Sequence, residues 1–96
     1  MGRAHRSRPN RLGGKLRFIR IHFGLTQSAL INKLAVHSEP LYPSSISLFE
    51  QGAREPSLLV LLAYSKLAGV TINELVDDKV KLSDLTIKAG RGNLKV

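Results

Sequence analysis

Cysteine and tryptophan are both absent from this chain of 96 residues, and aromatic residues make up only 5% of it. The lack of cysteine excludes disulfides and thiolate metal sites, and it suits a reducing cytoplasm. Because aromatic side chains are scarce, aliphatic residues must form most of the core. Hydrophobic residues still account for 43% of the chain, so we expect one folded domain with a modest core.

Long apolar runs are also absent. The longest run, Leu58–Tyr64, is far too short to cross a bilayer. The basic start, Arg3–Arg11, is followed by one leucine, two glycines and a lysine and not by the apolar core of a signal peptide. We therefore expect a cytoplasmic protein that makes no membrane contact.

Acidic residues are missing from residues 1–23, which contain seven Arg and Lys. Residues 24–78 contain three basic and six acidic side chains, and residues 79–96 contain five basic and one acidic. The net charge of +8 therefore comes from the two ends of the chain. Cationic ends suit a polyanion such as DNA, because each neutralised phosphate releases counterions. A solubilising surface with frayed ends explains the same distribution equally well.

Apolar spacing and helix caps predict two short helices in the first third of the chain. From Leu12, apolar residues recur at steps of four, three and four, and Gly24 then ends the stripe. Thr26 is a good N-cap for a second helix that runs to about Leu34. Residues 36–42 show no periodicity and are predicted to be a loop.

A third helix is predicted to begin at Pro43, whose fixed φ suits a first turn, and to stop at Gly52. Ile46 and Phe49 are three residues apart and therefore face inward together. Their burial would leave the opposite face of this helix, over residues 43–51, turned outward.

Two further helices are predicted, over residues 58–68 after the cap Ser57 and from residue 72 after a capping box of Thr71 and Glu74. The fourth helix is apolar nearly all round, whereas a surface helix needs only one apolar stripe. Its surplus should therefore meet either residues 80–87 folded back over it or a partner chain, such as the second copy of a homodimer.

This order of helices resembles the Cro/C1-type (lambda-repressor-like, XRE family) helix-turn-helix domain over about two thirds of the chain. The stretches that carry the resemblance are LGGKLRFIRIHFGLTQSALINKL and SSISLFEQGAREPSLLVLLAYSKLAGVTINEL. The relative positions of four residues in these stretches are typical of the family. These residues are Glu50, Gly52, Pro56 and Gly69. The resemblance implies an all-α, five-helix DNA-binding domain over residues 11–78, between a flexible basic arm, residues 1–10, and a basic tail, residues 79–96.

The resemblance implies that helix 43–51 enters the DNA major groove of a small prokaryotic or phage repressor-type regulator. The residues expected to contact DNA there are Tyr42, Pro43, Ser44, Ser45, Ser47, Leu48 and Gln51. By the matching register, positions 43, 44 and 48 point at base edges. Ser44 can bond to several bases and Leu48 can pack on a thymine methyl group. Specificity would then also rest on water and DNA shape.

Phosphate contacts are expected from Gln27 at the start of the second helix, because a helix N-terminus attracts anions. They are also expected from Arg54 and from the arm, through Arg3, Arg6, Arg8 and Arg11. The plainer interpretation is a solvated helix start and a disordered tail.

Arg20 and Glu50 match a structural ion pair that joins the first and third helices in many members of this family. One departure from the family is a longer connection between Leu34 and Ile46. It brings Tyr42 and His37 into consideration as phosphate contacts, although an exposed loop histidine is the simpler interpretation of His37.

Catalysis finds little support in the sequence. The three histidines lack metal-ligand spacing, and no phosphate-binding glycine loop follows a strand. We expect no enzyme, metal site, cofactor or small-molecule ligand, and double-stranded DNA as the partner. The alternative is a protein-interaction adaptor or antitoxin-type partner protein on the same scaffold, binding through the fourth helix and the tail.

Overall fold

The computed structural model describes residues 9–83 and Ile87, and these contain five helices and no strand. The helices are α1 (Leu12–His22), α2 (Gln27–Leu34), α3 (Pro43–Glu50), α4 (Leu58–Ala68) and α5 (Ile72–Val76). The all-α class and the five predicted helices are confirmed. The predictions for the arm before Pro9 and for most of the tail lie outside the described residues.

Local capping explains where the helices begin and end. Thr26 Oγ1 accepts a hydrogen bond from the Ala29 N–H at 3.0 Å, and Ser57 Oγ accepts one from the Val60 N–H at 3.3 Å. The capping box of α5 is complete: Thr71 Oγ1 accepts from the Glu74 N–H at 3.0 Å, and Glu74 Oε1 accepts from the Thr71 N–H at 2.7 Å. These bonds satisfy backbone donors that the helices themselves leave unpaired.

The core lies where α3 packs between α1 and α2, while α4 packs on α2 and α5, and α5 returns to α1. Its side chains are aliphatic apart from Phe49 and Tyr64. Ile46 is fully buried and Phe49 is 2% exposed, as their spacing predicted. The buried aliphatic residues are Leu12, Leu16, Ile19, Leu30, Leu34, Ile46, Val60, Leu61, Ala68, Val70, Leu75 and Ile87.

Two charged side chains connect the end of α5 to α1 by hydrogen bonds. The Asp78 carboxylate accepts hydrogen bonds from the backbone N–H groups of Asn10, at 2.9 Å, and Arg11, at 3.0 Å. These two bonds lower the pKa of Asp78. The buried Lys15 Nζ donates to the carbonyls of Glu74 and Asp77, both at 2.7 Å. Asp78 therefore lies at the N-terminal end of α1 and Lys15 at the C-terminal end of α5, each beside backbone groups of opposite partial charge. Asp78 thus caps the start of α1.

The start of the tail lies beside α1 and not over α4. Val80 and Leu82 line a shallow depression together with Gly14 and Phe18 of α1. Leu58 of α4, in contrast, is 69% exposed. The interpretation that this part of the tail folds back over α4 is therefore wrong for residues 80–82.

Gly13 allows α1 to approach the C-terminal end of α3 at backbone distance. A Cβ atom at Gly13 would lie 2.7 Å from the Glu50 carbonyl oxygen and 2.8 Å from that of Phe49. The same atom at Gly14 would meet nothing within 4 Å. The two neighbouring glycines therefore differ in what they do: Gly13 sets the distance between two helices, and Gly14 does not.

We predict opposite effects for alanine at these two positions. Gly14→Ala should raise the free energy of unfolding by about 0.5–1 kcal/mol, because it removes a helical glycine in open space. Gly13→Ala should lower it by about 1–3 kcal/mol, because the backbone of α3 must move away. Urea denaturation measures both. A gain in stability from both substitutions would contradict the close approach.

Candidate nucleic-acid interface

The outer face of α3 is a single helical stripe formed by Ser44, Ser47, Leu48 and Gln51. These residues are spaced i, i+3, i+4 and i+7, so they lie on one side of the helix. Ser44 and Gln51 are exposed, Leu48 is 38% exposed, and Ser47 is half-buried. Ile46 and Phe49 occupy the opposite side. We call this stripe the outer stripe of α3.

A hydrogen bond within the outer stripe holds its C-terminal end. Gln51 Nε2 donates to Ser47 Oγ at 2.7 Å, across one turn of the helix. The bond lays the Gln51 side chain along the helix surface. The stripe therefore presents two hydroxyl groups, an amide and an aliphatic side chain, a set that can hydrogen-bond to base edges and contact a thymine methyl group.

The start of α3 places Tyr42, Pro43 and Ser45 differently from one another. Tyr42 is 60% exposed, and Pro43 is exposed at the first helical position. Ser45 is 5% exposed, and its Oγ accepts a hydrogen bond from the Tyr42 N–H at 3.2 Å. Although Ser45 was expected to contact DNA, the structure turns it toward the protein, where it caps the helix. We leave it out of the interface proposed below.

A bidentate ion pair ties α3 to α1. Arg20 Nε donates to Glu50 Oε2 at 2.7 Å, and Arg20 Nη2 donates to Glu50 Oε1 at 3.0 Å. Arg20 Nη1 also donates to the Leu25 carbonyl at 3.0 Å, which adds the connection between α1 and α2. The side chains are only 17% and 6% exposed, and the bond to Glu50 raises the pKa of the Arg20 guanidinium. Paired, planar geometry of this kind fixes orientation as well as distance.

Tyr64 has a fully buried side chain, and the charges of Arg20 and Glu50 both act on its hydroxyl. Within the described part of the chain, its hydroxyl has no hydrogen-bond partner. Burial raises the pKa of Tyr64, and the negative charge of Glu50 raises it further, while the charge of Arg20 opposes the change. The hydroxyl is therefore neutral, and a buried unpaired hydroxyl is destabilising.

Arg54 lies just beyond the C-terminal end of α3. The residue is exposed, and its guanidinium carbon is 5.9 Å from the centre of the Phe49 ring. Its backbone N–H donates to the Leu48 carbonyl at 3.3 Å, which holds the loop against the helix. Pro9, where the described chain begins, lines a small depression with Gly52 and Arg54. The described end of the basic arm therefore lies next to Arg54.

The other expected phosphate contacts lie at separate places. Gln27 is half-buried at the first position of α2, which packs against α3. Arg11 is exposed at the start of α1, where Asp78 accepts a hydrogen bond from its backbone N–H. The side chains of Arg3, Arg6 and Arg8 lie outside the described residues.

The longer connection between α2 and α3 is attached to α4. Glu39 Oε1 accepts a hydrogen bond from the Ser57 hydroxyl at 2.6 Å, and Ser57 is the N-cap of α4. Val36 and Leu41 are half-buried against the core, while His37 is exposed. Sequence reasoning missed the role of Glu39, because no local pattern links residues 18 positions apart.

Comparison with known proteins gives no relative: no family model, no curated protein and no solved structure matches the chain. In the part of the chain that the structure describes, no cluster of histidine and carboxylate side chains could hold a metal ion. No helix in the same part is both long and apolar enough to cross a membrane. The geometry of α3 and its neighbours is therefore the basis for a functional proposal.

We predict that Tyr64→Phe and Glu50→Gln change stability in opposite directions. Removing the unpaired hydroxyl should raise the free energy of unfolding by about 1 kcal/mol. Removing the charge of Glu50 should lower it by about 1–3 kcal/mol, because Arg20 loses its partner at the edge of the core. Thermal or urea denaturation of both variants checks this. Destabilisation by Tyr64→Phe would mean that the hydroxyl is hydrogen-bonded.

Proposed function

We propose that the chain is a sequence-specific DNA-binding transcriptional regulator of the Cro/C1 type, with α3 as its recognition helix. The observation that carries the proposal is the outer stripe of α3, which stays exposed while Ile46 and Phe49 anchor the opposite side. An α-helix with its side chains is about as wide as the DNA major groove, about 12 Å. The ion pair between Arg20 and Glu50 would hold α3 in one orientation in the groove.

Phosphate contacts would flank this helix. Arg54 and Pro9, at the end of the basic arm that joins the domain, lie together at one end of α3. Gln27 stands at the N-terminus of α2, where the backbone N–H groups favour an anion. Contacts of this kind fix the register of a protein on DNA without reading its sequence. The excess of positive charge in residues 1–23 supports the same role.

Base readout would fall to the outer stripe of α3. Ser44 can donate to or accept from several bases, and Leu48 favours a thymine methyl group. Gln51 has the most specific chemistry, because a glutamine amide can make two hydrogen bonds to adenine. In the free protein its amide is bonded to Ser47, so binding to adenine would exchange one hydrogen bond for two.

Arg54→Ala should weaken binding to all duplexes by a similar factor. It should also reduce the slope of log affinity against log salt by about 0.9, the loss of one phosphate contact. The measurement is a fluorescence anisotropy titration at several salt concentrations. Lys66→Ala, which removes an exposed charge from α4, is the matched control and should leave both quantities unchanged. Equal effects of the two substitutions would mean that only net charge matters.

Ser44→Ala and Leu48→Ala should each change the preferred DNA motif. Selection from a pool of random duplexes, followed by sequencing, gives the motif for each variant. Ser38→Ala replaces an exposed serine in the connection between α2 and α3 and should leave the motif unchanged. An unaltered motif in both α3 variants would rule out the proposed register.

A second candidate function is a protein-interaction adaptor or antitoxin-type partner on the same scaffold. The observation that favours it is the exposure of Leu58, at 69%, and Leu59, at 53%, on α4. DNA binding that selects no motif and disappears when residues 1–10 are deleted would favour this candidate. A homodimer stays a prediction, which sedimentation of the free chain and of its DNA complex tests directly.

A further inference from the structure

A groove of about 620 Å³ lies between the C-terminal end of α2 and one side of α4. Its apolar lining comes mainly from Leu34 and Val36 on one side and from Leu59, Leu62 and Ala63 on the other. None of these residues belongs to the outer stripe of α3. We call it the α2–α4 groove.

The side of α4 that faces the groove is a second apolar stripe. Leu59, Leu62, Ala63 and Lys66 are spaced i, i+3, i+4 and i+7. Leu59 is 53% exposed and Leu62 is 37% exposed, although the core already covers the other side of α4 through Val60 and Tyr64. Exposed leucines in a row along a groove are typical of a site that receives another helix.

The edges of the α2–α4 groove are cationic. Lys33 of α2 and Lys66 of α4 both line it and are both exposed. No acidic side chain is among the described residues that line the groove. The nearest acid along the chain, Glu39, accepts a hydrogen bond from Ser57 at the start of α4. A partner that brings negative charge beside an apolar stripe is therefore complementary to this surface.

A second copy of the chain is not complementary to this groove across a two-fold axis that passes through it, because lysines would then meet lysines. Three acids near the C-terminal end of the domain, Glu74, Asp77 and Asp78, already accept hydrogen bonds in helix caps and turns. The tail, residues 79–96, contains five basic side chains and one acid, so its net charge is also positive.

We propose that the α2–α4 groove binds an acidic amphipathic helix of another protein. Its apolar side chains would pack on Leu59 and Leu62, and its carboxylates would lie beside Lys33 and Lys66. This inference does not depend on DNA binding, since the two surfaces share no residue. It gives the protein a docking surface through which a partner can act on it.

The probe is a synthetic peptide of about four helical turns with a leucine stripe flanked by glutamates. A second peptide carries lysines in place of the glutamates. Fluorescence anisotropy with the full chain at physiological salt measures both, and amide chemical shifts locate the site. We expect saturable binding of the glutamate peptide only, with the largest shifts at Leu59, Leu62 and Lys66.

Charge reversal separates the groove from the general positive charge of the chain. Lys33→Glu combined with Lys66→Glu should weaken binding of the glutamate peptide about tenfold or more and should allow the lysine peptide to bind. Lys79→Glu combined with Lys81→Glu changes the net charge equally at exposed positions outside the groove. This control pair should change the affinity less than about twofold.

Four results would overturn the proposal. The first is no saturable binding, and the second is equal weakening by the two charge-reversed pairs. The third is equal affinity for both peptides, which would mean that the groove binds apolar side chains without selecting for charge. The fourth is a dimer of the free chain that dissociates on Leu59→Ser, because the groove would then hold a second copy. Leu59 is exposed, so this substitution should not unfold the protein.

Discussion

The ion pair between Arg20 and Glu50 is the contact on which the arrangement of α3 depends. It is formed by two parallel hydrogen bonds at the edge of the core, and a third bond from Arg20 reaches the connection between α1 and α2. Three parts of the chain are therefore positioned by one guanidinium group. The absence of a side chain on Gly13 lets the same two helices meet at backbone distance, at the carbonyl groups of Phe49 and Glu50.

A helix as short as α3 cannot be stable by itself, since forming its first turn costs more than a few backbone bonds return. Its eight residues are held at both ends instead. Ser45 caps the N-terminal end from beneath, and Glu50 anchors the C-terminal end, while Ile46 and Phe49 are buried between them. The residues that anchor the helix lie on its buried side and at its two ends, so the outer stripe of α3 is left exposed.

The sequence predicted the helices well because their signals are local. The caps at Thr26, Ser57 and Thr71 each bond to a residue three positions along the chain. Both partners therefore lie within one short segment of sequence. The contacts of Asp78 with Asn10 and Arg11 span 68 and 67 positions and have no local pattern. The same holds for Glu39 and Ser57.

The candidate interface was predictable to a similar degree. Helical periodicity from Ile46 and Phe49 is sufficient to place Ser44, Leu48 and Gln51 on the outer side. Ser45 lies 100° around the helix from Ser44, at the border between the two sides, and only the packed structure decides its direction. The exposed stripe of α4 was predictable only in part. Composition showed that α4 has surplus apolar surface, but only the packed structure shows that Leu59 and Leu62 are the residues that stay exposed beside the core.

Titration of the isotope-labelled chain with its selected DNA duplex, followed through amide chemical shifts, tests the central proposal most directly. If α3 is the recognition helix, the largest shifts fall on Ser44, Ser47, Leu48 and Gln51, with smaller ones at Gln27 and Arg54. Shifts confined to the two ends of the chain, with α3 unaffected, would contradict it.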